Sequence, residues 1–463
     1  MVGGGISGLA AALRVSTELP DAEVLLLEAS PAIGGKLRVA DVGGVQVDVG
    51  AEALLAARPE GVGLIRELAL DGELITPLTT AAQLRVGGAR HPLPARTMFG
   101  IPADLDSARA SGALTEGALD RIAAEPAADP MAPLADDVAV GELVRARLGN
   151  EVVDRLVEPL LGGVYAGRAD ELSMRATMPS LASRLERDGG SLVAAARSVT
   201  DVGTRGPASG PMFASLSGGM GTLPAAVART GRFAVRTSTT VRGMRRVPGG
   251  FELVCGAVPD EETMLADAVV VATPASKAAL LLRDIAPHAS TDLSGIDSAS
   301  VAIVTLALRD VRLPSGSGLL IGTREGFAVK AVTLSSQKWP MASDGLTFLR
   351  ASLGRAGEAQ VLQREDAELI ALVRHELRAL IEVDAEPVDA LVTRWGGGLP
   401  QYAVGHVAAV GRIRSAVEQV PGLAVCGAAY NGVGIPACIA SGQAAAADVV
   451  AFLTTSAGDQ GGQ

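Results

Sequence analysis

The chain has 463 residues and a formal net charge of −11 at pH 7, with 48% hydrophobic but only 3% aromatic residues. This length is enough for two or three domains with large cores, and the acidic balance argues against a nucleic-acid partner. An anionic ligand would therefore need a pocket that is locally basic. The three cysteines, Cys255, Cys426 and Cys438, have neither the spacing of a metal site nor that of a disulfide framework.

The sequence also bears on where the protein resides. No leader precedes the first motif, and no stretch approaches the roughly 20 uninterrupted apolar residues of a membrane-spanning helix. Together with the cysteine pattern, this predicts a cytoplasmic protein without a transmembrane segment. Peripheral contact with a membrane is left open by the composition.

The chain opens on glycines at positions 3, 5 and 8, the spacing G-x-G-x-x-G of a dinucleotide-binding turn. Gly3 permits a tight turn out of a strand, Gly5 lets a pyrophosphate approach the backbone, and Gly8 lets the next helix pack on the sheet. That helix is predicted from Ile6 to about Val15, with its N-terminal N–H groups facing the phosphates. Alone the motif is weak, because glycine-rich turns between a strand and a helix are common.

Only Met1 and Val2 precede these glycines, although the first strand of such a sheet is central and should hold several residues. If the chain begins at Met1, we expect the central strand to lose pairing and the domain to lose stability. A start further upstream is the alternative.

The context strengthens the interpretation as a nucleotide site. Residues 23–28 are predicted to form a buried strand ending in Glu28, 20 positions after Gly8, where a carboxylate can accept hydrogen bonds from ribose hydroxyls. A second glycine turn follows at residues 34–36, which a nicotinamide site does not need. The simpler alternative is a structural glycine-rich βαβ unit.

The remaining elements are predicted from periodicity and from glycine and proline breaks. A short amphipathic helix is expected at 61–70, strands before a hairpin turn at 74–86, and mainly helices at 101–192. Further strands are predicted at 233–247, 251–254, 268–272, 300–308, 328–334, 347–352, 392–395 and 423–427, and helices at 366–381 and 435–447. The return of strands after a long helical stretch indicates a nucleotide-binding sheet interrupted by an insertion.

Several stretches together resemble one family. They are Gly3–Gly8, Asp48–Glu52, Arg90–Pro94, Gly163–Gly167, Leu172–Arg175, Thr333–Trp339, Pro400–Tyr402 and Gly432–Pro436. On these stretches, which span nearly the whole chain, the protein resembles the FAD-dependent protoporphyrinogen and coproporphyrinogen III oxidases of haem biosynthesis, within the flavin amine oxidase superfamily. The resemblance is strongest to the Gram-positive-type bacterial branch, whose members oxidise coproporphyrinogen III.

The resemblance implies an α/β fold with a Rossmann-like FAD-binding domain (parallel sheet), an inserted mixed-sheet substrate domain and a helical insertion. The FAD-binding domain is expected at residues 1–78, 215–290 and 390–463. The substrate domain is expected at 79–90 and 295–389, and the helical insertion at 91–214.

The resemblance also implies a chemistry in which FAD, rather than a side chain, performs the oxidation. Coproporphyrinogen III would lose six electrons in three rounds, each passing a hydride from a meso carbon to N5 of FAD, and O2 would reoxidise the flavin to give H2O2. The expected ligands are therefore FAD, a porphyrinogen tetrapyrrole and O2. No catalytic acid or base and no metal ligand is predicted, and the presence of only four histidines agrees with this expectation.

Residues at the positions of the family's motifs are expected to bind FAD. They are Gly3, Gly4, Gly5, Ile6, Ser7, Gly8, Glu28, Ala29, Lys36, Gly50, Ala51, Glu52, Ala53, Val241, Trp395, Val433, Gly434 and Ile435. Lys36 stands where many relatives carry arginine, so a cation is kept but the bidentate geometry is lost. The helix at 435–447 should point its N-terminus at the N1–C2=O edge of the flavin, which is negatively charged when reduced. Ala428 replaces the aspartate that contacts the ribityl chain in many relatives.

The propionate groups of the substrate need cations. Arg90 is the first candidate and Lys338 the second, and for both an equally good interpretation is solvated surface charge. Gly163 and Gly167 are expected to line the macrocycle pocket, because glycine lets a flat ring approach the backbone.

Other functions remain open from the sequence. Protoporphyrinogen IX oxidation differs only by two propionates of the substrate. An amine oxidase or carotenoid desaturase is another alternative, although three tyrosines and two tryptophans leave little for an aromatic cage. A non-enzymatic protein on the FAD-binding fold is a third, and a nicotinamide dehydrogenase is disfavoured by Glu28 followed by the second glycine turn.

Overall fold

A computed structural model describes residues 1–204, 211–341 and 345–460. Its helices are α1 (Ile6–Glu18), α2 (Pro59–Glu67), α3 (Leu105–Ser111), α4 (Glu116–Ala124), α5 (Val140–Leu148), α6 (Asn150–Val152), α7 (Glu158–Tyr165), α8 (Met174–Thr177), α9 (Pro179–Asp188), α10 (Leu192–Thr204), α11 (Thr222–Arg229), α12 (Ala275–Leu282), α13 (Pro287–Ser294), α14 (Ser335–Lys338), α15 (Asp366–Ile381), α16 (His406–Glu418) and α17 (Ile435–Gln460). A π-helical turn, Val153–Val157, joins α6 to α7.

The strands follow the chain in the same way. They are β1 (Leu25–Leu27), β2 (Val39–Val42), β3 (Val45–Asp48), β4 (Leu54–Leu55), β5 (Leu74–Ile75), β6 (Ala82–Val86), β7 (Ala89–Pro92), β8 (Thr97–Met98), β9 (Ile101–Pro102), β10 (Phe213–Leu216), β11 (Ala234–Arg236), β12 (Val241–Val247), β13 (Gly250–Ala257), β14 (Asp260–Ala266), β15 (Val269–Val271), β16 (Ser298–Arg309), β17 (Gly318–Ile321), β18 (Val329–Thr333), β19 (Leu346–Leu353), β20 (Asp389–Pro400) and β21 (Leu423–Val425).

A parallel sheet carries the glycine-rich turn. Its strands pair in the order β11, β1, the segment Met1–Val2, β15 and β21. The N–H of Val2 donates to the carbonyl of Val270 at 2.9 Å, and the N–H of Gly3 donates to the carbonyl of Leu27 at 2.8 Å. The two residues ahead of the glycines therefore lie at the centre of the sheet and pair on both sides.

α1 and α17 pack closely against each other beside this sheet. A Cβ on Gly442 of α17 would lie 2.1 Å from the carbonyl oxygen of Ser7, so the two helices meet backbone to backbone. Leu9 and Leu13 of α1 are buried together with Ile439 of α17. The small residues of both helices permit this approach, which ties the C-terminal helix to the start of the glycine turn.

The second large sheet has seven strands in the order β20, β16, β19, β18, β17, β6 and β7. The pair β17–β6 is parallel and the other pairs are antiparallel, so the sheet is mixed. α15 covers one face, where Leu369, Val373 and Leu377 pack on buried residues of the strands. The other face meets the helical insertion, because Leu84 of β6 belongs to the core of those helices.

The sequence explains where α15 begins and ends. Glu365 and Glu368 form a capping box, in which each side chain accepts a hydrogen bond from the backbone N–H of the other residue. The helix ends at Glu382, which adopts the left-handed conformation with a φ of +60°. This end brings the Glu382 carboxylate to Arg90 of β7.

The elements confirm an α/β fold with parallel and mixed sheets and helices, while the arrangement into three domains and their boundaries stay a prediction. One strand does not follow the predicted domain boundaries. Residues from 390 onward were expected in the FAD-binding domain, yet β20 pairs with β16 at the edge of the mixed sheet. Local alternation predicts that a segment is a strand but does not identify its partner.

One helix among the described residues, Ile435–Ser456 within α17, is long and apolar enough to be a candidate membrane span, although the sequence predicts none. The same helix contributes Ile439, Ala446 and Val449 to the core around α1. A buried core helix passes the same test, so the finding is weak evidence for a membrane span.

Candidate active site

The turn from Gly3 to Gly8 has the geometry that its spacing predicts. Gly3 has a φ of +108°, which residues with a side chain rarely adopt. A Cβ on Gly8 would lie 2.0 Å from the carbonyl oxygen of Gly3, so only glycine fits where α1 leaves the turn. A Cβ on Gly5 would have no neighbour within 4 Å among the described residues. This open space adjoins the first N–H groups of α1, which lack intrahelical partners and can bind phosphate.

Glu28 follows β1 and fastens the glycine turn. Its carboxylate accepts the N–H of Gly4 at 2.7 Å and the N–H of Ser30 at 2.8 Å. An ionised carboxylate has about four acceptor positions, so capacity remains for ribose hydroxyls. The carbonyl of Glu28 accepts the N–H of Thr239 at 2.9 Å, which brings the segment that contains Val241 to the same place.

The second glycine turn packs on the first. Gly34 donates its N–H to the carbonyl of Gly4 at 2.7 Å, and the carbonyl of Lys36 accepts the N–H of Ala51 at 3.0 Å. Partial burial lowers the pKa of the Lys36 ammonium group, and none of the carboxylates that the structure describes forms an ion pair with it. A partly buried cation of this kind suits an anionic ligand such as a phosphate.

Glu52 forms a charged cluster with two cations of the mixed-sheet part. Its carboxylate oxygens bind the ammonium group of Lys338 at 2.6 Å and the guanidinium of Arg350 at 2.7 Å. Arg350 also donates to the carbonyl of Gly50. Burial alone would raise the pKa of Glu52, but the two cations outweigh it and hold the pKa at about 2. These ionised side chains therefore hold the backbone of residues 50–53 in place.

Trp395 approaches the same segment from β20. Its indole N–H donates to the carbonyl of Val49 at 3.1 Å. Its ring also lies 3.2 Å from the position that a Cβ on Gly50 would take. The guanidinium of Arg38 stands 5.4 Å from the ring centroid. The structure thus brings together two groups of predicted FAD contacts that are far apart in the sequence.

The C-terminal glycine-rich turn reaches this region as well. Tyr402, only 1% exposed, donates its hydroxyl proton to the carbonyl of Ala428 at 2.5 Å and accepts the N–H of Gly432 at 2.8 Å. These bonds hold the turn that leads into α17. Cys438, in the first turns of that helix, is hydrogen-bonded by Ser7 of α1, so the N-termini of the two helices adjoin.

Together the contacts above bring the segments predicted to bind FAD into one region, with open space over Gly5. The two glycine turns, residues 50–53, Trp395 and residues 433–435 are connected through the contacts above, and Ala29 lies exposed beside Glu28. Open space over Gly5, free N–H groups of α1 and the Lys36 cation supply what a pyrophosphate requires. That each predicted residue contacts FAD stays a prediction.

Asp48, at the end of β3, gives the fold a pH dependence. Its carboxylate accepts the N–H groups of Met220 at 2.9 Å and Gly221 at 3.0 Å. Burial outweighs these bonds and raises the pKa of Asp48 from 3.8 to about 6. Because the folded state binds this proton more tightly than the unfolded state, the stabilisation is full below about pH 4 and is lost as the pH rises through about 6.

We expect Asp48→Asn, which resembles the neutral acid, to remove this dependence. Between pH 4 and pH 7 the wild-type chain should lose about 2–3 kcal/mol relative to the variant. Thermal melts followed by circular dichroism across this range measure the difference, with the exposed Asp21→Asn as control. A constant gap between the Asp48 variant and wild type at every pH would show that the pKa of Asp48 is not raised.

The structure places both cations predicted for the propionates in ion pairs, and their contact with propionates stays a prediction. Lys338 is bound to Glu52 and is neither free nor a surface charge. Arg90 forms an exposed ion pair with Glu382 at 2.8 Å. Arg90 is opposite Arg85 in the register of β6 and β7 and therefore faces away from Leu84, which packs on the helical insertion. The sequence motifs identify both residues, but they do not predict which partner or which face of the sheet each side chain meets.

The two glycines predicted to line the pocket differ in their surroundings. Gly163, near the end of α7, is exposed, and a Cβ on it would lie 3.0 Å from Leu320 of β17. Gly167 is buried, and a Cβ on it would lie 2.4 Å from Oε1 of Gln401. Of the two, only Gly163 is exposed, and it lies against Leu320 of the mixed sheet.

Sequence reasoning missed three buried cations. Arg350 donates a hydrogen bond to Glu52, which is 298 positions away in the sequence, so no local pattern connects the two residues. Lys330 and Arg355 lie 4% and 7% exposed between the mixed sheet and α7. Their only signal is a charged residue inside an otherwise apolar strand or directly after one.

A glycine-rich turn ahead of a helix, a carboxylate after the next strand and a C-terminal helix that returns to the same turn are features of proteins that bind FAD for oxidation and reduction. The chain belongs to the flavin containing amine oxidoreductases, whose family model matches residues 6–450. It is accordingly an FAD-dependent oxidoreductase.

Individual relatives extend over nearly the whole chain. The chain is 39% identical to the coproporphyrinogen III oxidase of Mycobacterium leprae, with 95% of each chain covered, and 31% identical to that of Bacillus subtilis, with 98% of each covered. A crystal structure from Exiguobacterium sp. 255-15, provisionally named a protoporphyrinogen oxidase, matches with a TM-score of 0.86 and 31% identity. That match covers 97% of this chain and 98% of the other.

Proposed function

We propose that this protein oxidises coproporphyrinogen III to coproporphyrin III in haem biosynthesis, using O2 and releasing H2O2. The observation that carries the proposal is the identity of 31–39% to coproporphyrinogen III oxidases along nearly the whole chain. The contacts that bring the fingerprint segments together support it. A cytoplasmic location belongs to the same proposal.

The overall reaction removes six hydrogen atoms from the macrocycle and converts three O2 to three H2O2, so atoms and electrons balance. FAD, when bound, supplies the hydride acceptor and the site of reaction with O2. The chain itself binds and orients. The glycine turn and Lys36 hold phosphates, the Glu52 cluster fixes residues 50–53, and the N-terminus of α17 favours negative charge beside it.

The space between the mixed sheet and the helical insertion is where we place the macrocycle. Gly163 is exposed there opposite Leu320. Val164, the next residue, is apolar and yet 42% exposed. A flat ring with an apolar centre is complementary to walls of this kind, whereas its carboxylates require cations.

A second candidate substrate is protoporphyrinogen IX, which carries two propionates where coproporphyrinogen III carries four. The provisional name of the Exiguobacterium structure, 31% identical to this chain, favours it. The two candidates differ in substrate and share the chemistry.

The test uses purified protein whose flavin content is known from its absorption spectrum. Coproporphyrinogen III and protoporphyrinogen IX are supplied separately in air, and porphyrin fluorescence and H2O2 are followed. We expect kcat/KM to be about tenfold or more higher for coproporphyrinogen III, since unpaired buried cations penalise a substrate that lacks two carboxylates. The yield should be three H2O2 per porphyrin.

Other outcomes have definite meanings. A preference for protoporphyrinogen IX would assign the enzyme to the second candidate. Bound FAD with turnover of neither porphyrinogen would overturn the proposed function and leave the family membership intact.

A further inference from the structure

Lys330 is a fully buried lysine on the face of the mixed sheet that meets the helical insertion. The register of β18 against β19 shifts between Val329 and Ala331, so Lys330 occupies a β-bulge. Bulges redirect a side chain relative to the regular alternation of a strand. Val329 packs in the core under α15, whereas the Lys330 ammonium donates to the carbonyl of Gly162 in α7 at 3.2 Å. Lys330 therefore points at the place proposed for the macrocycle.

Arg355 is a second buried cation beside it. It follows β19, with its side chain 7% exposed, and its nearest carboxylate, that of Glu358, is 3.5 Å away from Nη1. Its Nη2 atom has no hydrogen-bond partner among the residues that the structure describes. The next residue, Ala356, donates its N–H to the carbonyl of Ala166 at 2.7 Å, so the loop of Arg355 is fastened to the segment Gly163–Gly167.

Two carboxylates lie near this pair, and neither is committed to Lys330 by a hydrogen bond in the part of the chain that the structure describes. Glu158 uses its Oε2 atom to accept the N–H of Ala169 at 2.7 Å, and Glu358 is 46% exposed. Burial, together with Arg355, lowers the pKa of Lys330 to about 7, and Glu358 opposes this shift only in part. In a chain with a net charge of −11, two neighbouring buried cations make this region locally basic, as an anionic ligand would require.

We propose that Lys330 and Arg355 bind a carboxylate of the substrate, holding it against the backbone of the segment Gly163–Gly167. The inference rests on the proposed function, because it takes a porphyrinogen as the ligand. Charge-assisted hydrogen bonds from a guanidinium and an ammonium group are strong when desolvated. They would fix the in-plane orientation of the macrocycle, so the two residues determine both specificity and the position of the ring.

The competing explanation is structural. Lys330 donates to a carbonyl in the last turns of α7, where a cation stabilises the C-terminal end of a helix. In that case its removal would lower the stability of the protein and would affect every porphyrin equally. A readout that compares ligands with and without carboxylates separates the two explanations.

The experiment measures the binding of coproporphyrin III and of its tetramethyl ester to the flavin-loaded protein by fluorescence quenching. The unaltered protein should bind the acid at least about tenfold more tightly than the ester. Lys330→Met and Arg355→Gln should each weaken binding of the acid about 10- to 100-fold and change binding of the ester less than about twofold. Lys330→Arg should restore most of the affinity, and the exposed Lys277→Met serves as the matched control.

Each result bears on the inference. Equal binding of acid and ester by the unaltered protein would overturn it without any variant. Equal weakening of acid and ester in the variants would assign Lys330 and Arg355 a structural role only. If the unaltered protein neither binds coproporphyrin III nor oxidises its porphyrinogen, the proposed function itself fails, which is a separate outcome.

Discussion

Gly8→Ala should yield protein that is purified with less than about a tenth of the normal FAD content. A Cβ at position 8 would lie 2.0 Å from the carbonyl oxygen of Gly3 and 3.1 Å from the side chain of Ala272. The first contact is with backbone that is itself paired at the centre of the parallel sheet, so it has no room to move. α1 would have to retreat from the turn, and its N-terminal N–H groups would retreat from the phosphates with it.

Stability should fall in the same variant, because overpacking a closely packed site costs about 1–3 kcal/mol. The measurements are the ratio of flavin to protein absorbance and the melting temperature with and without added FAD. Gly63→Ala is the matched control. It lies exposed in α2, where a Cβ would meet nothing within 4 Å among the described residues, so the change should be neutral or stabilising. Normal FAD content in Gly8→Ala would mean that the turn does not hold the pyrophosphate.

The geometry of the glycine turn was predictable because the residues that form it are contiguous in sequence. Gly3, Gly5 and Gly8 constrain one turn, and the position of Glu28 follows from the length of the helix and strand that separate it from Gly8. The structure adds a link that the sequence did not predict, a bond from the Gly4 N–H to the Glu28 carboxylate at 2.7 Å, while the contact of Glu28 with a ribose stays a prediction. In this part of the fold, residues that are near each other in the sequence are also near each other in space.

The surroundings of the cations in the mixed sheet were less predictable because their contacts join distant segments. Arg90 is in the motif that the sequence singles out, yet a strand register decides that it faces Glu382 on the far side of the sheet. The alternation of β18 does not predict the direction of the Lys330 side chain, because a bulge redirects it. A cation in a sequence motif indicates a position in the fold, whereas its partner is set by tertiary packing.

The partner of Lys338 could not be predicted from the sequence either, and the ion pair that it forms leads to the second prediction. Its partner Glu52 is 286 positions away, and Arg350 completes the cluster from β19. We expect Glu52→Gln to lower the melting temperature by roughly 3–5 °C, because removing the acid leaves two partly buried cations without a counter-charge at a cost of about 3–5 kcal/mol. FAD content should fall too, since residues 50–53 lose their anchor.

A double-mutant cycle makes the reason for that loss testable. Lys338→Met alone should cost less, because Glu52 keeps its bond to Arg350 at 2.7 Å. The double variant Glu52→Gln, Lys338→Met should be destabilised by less than the sum of the two single variants, with a coupling of about 1–3 kcal/mol. Strict additivity would show that Lys338 and Glu52 act independently. It would also free the Lys338 ammonium for the role predicted from the sequence, binding a propionate of the substrate.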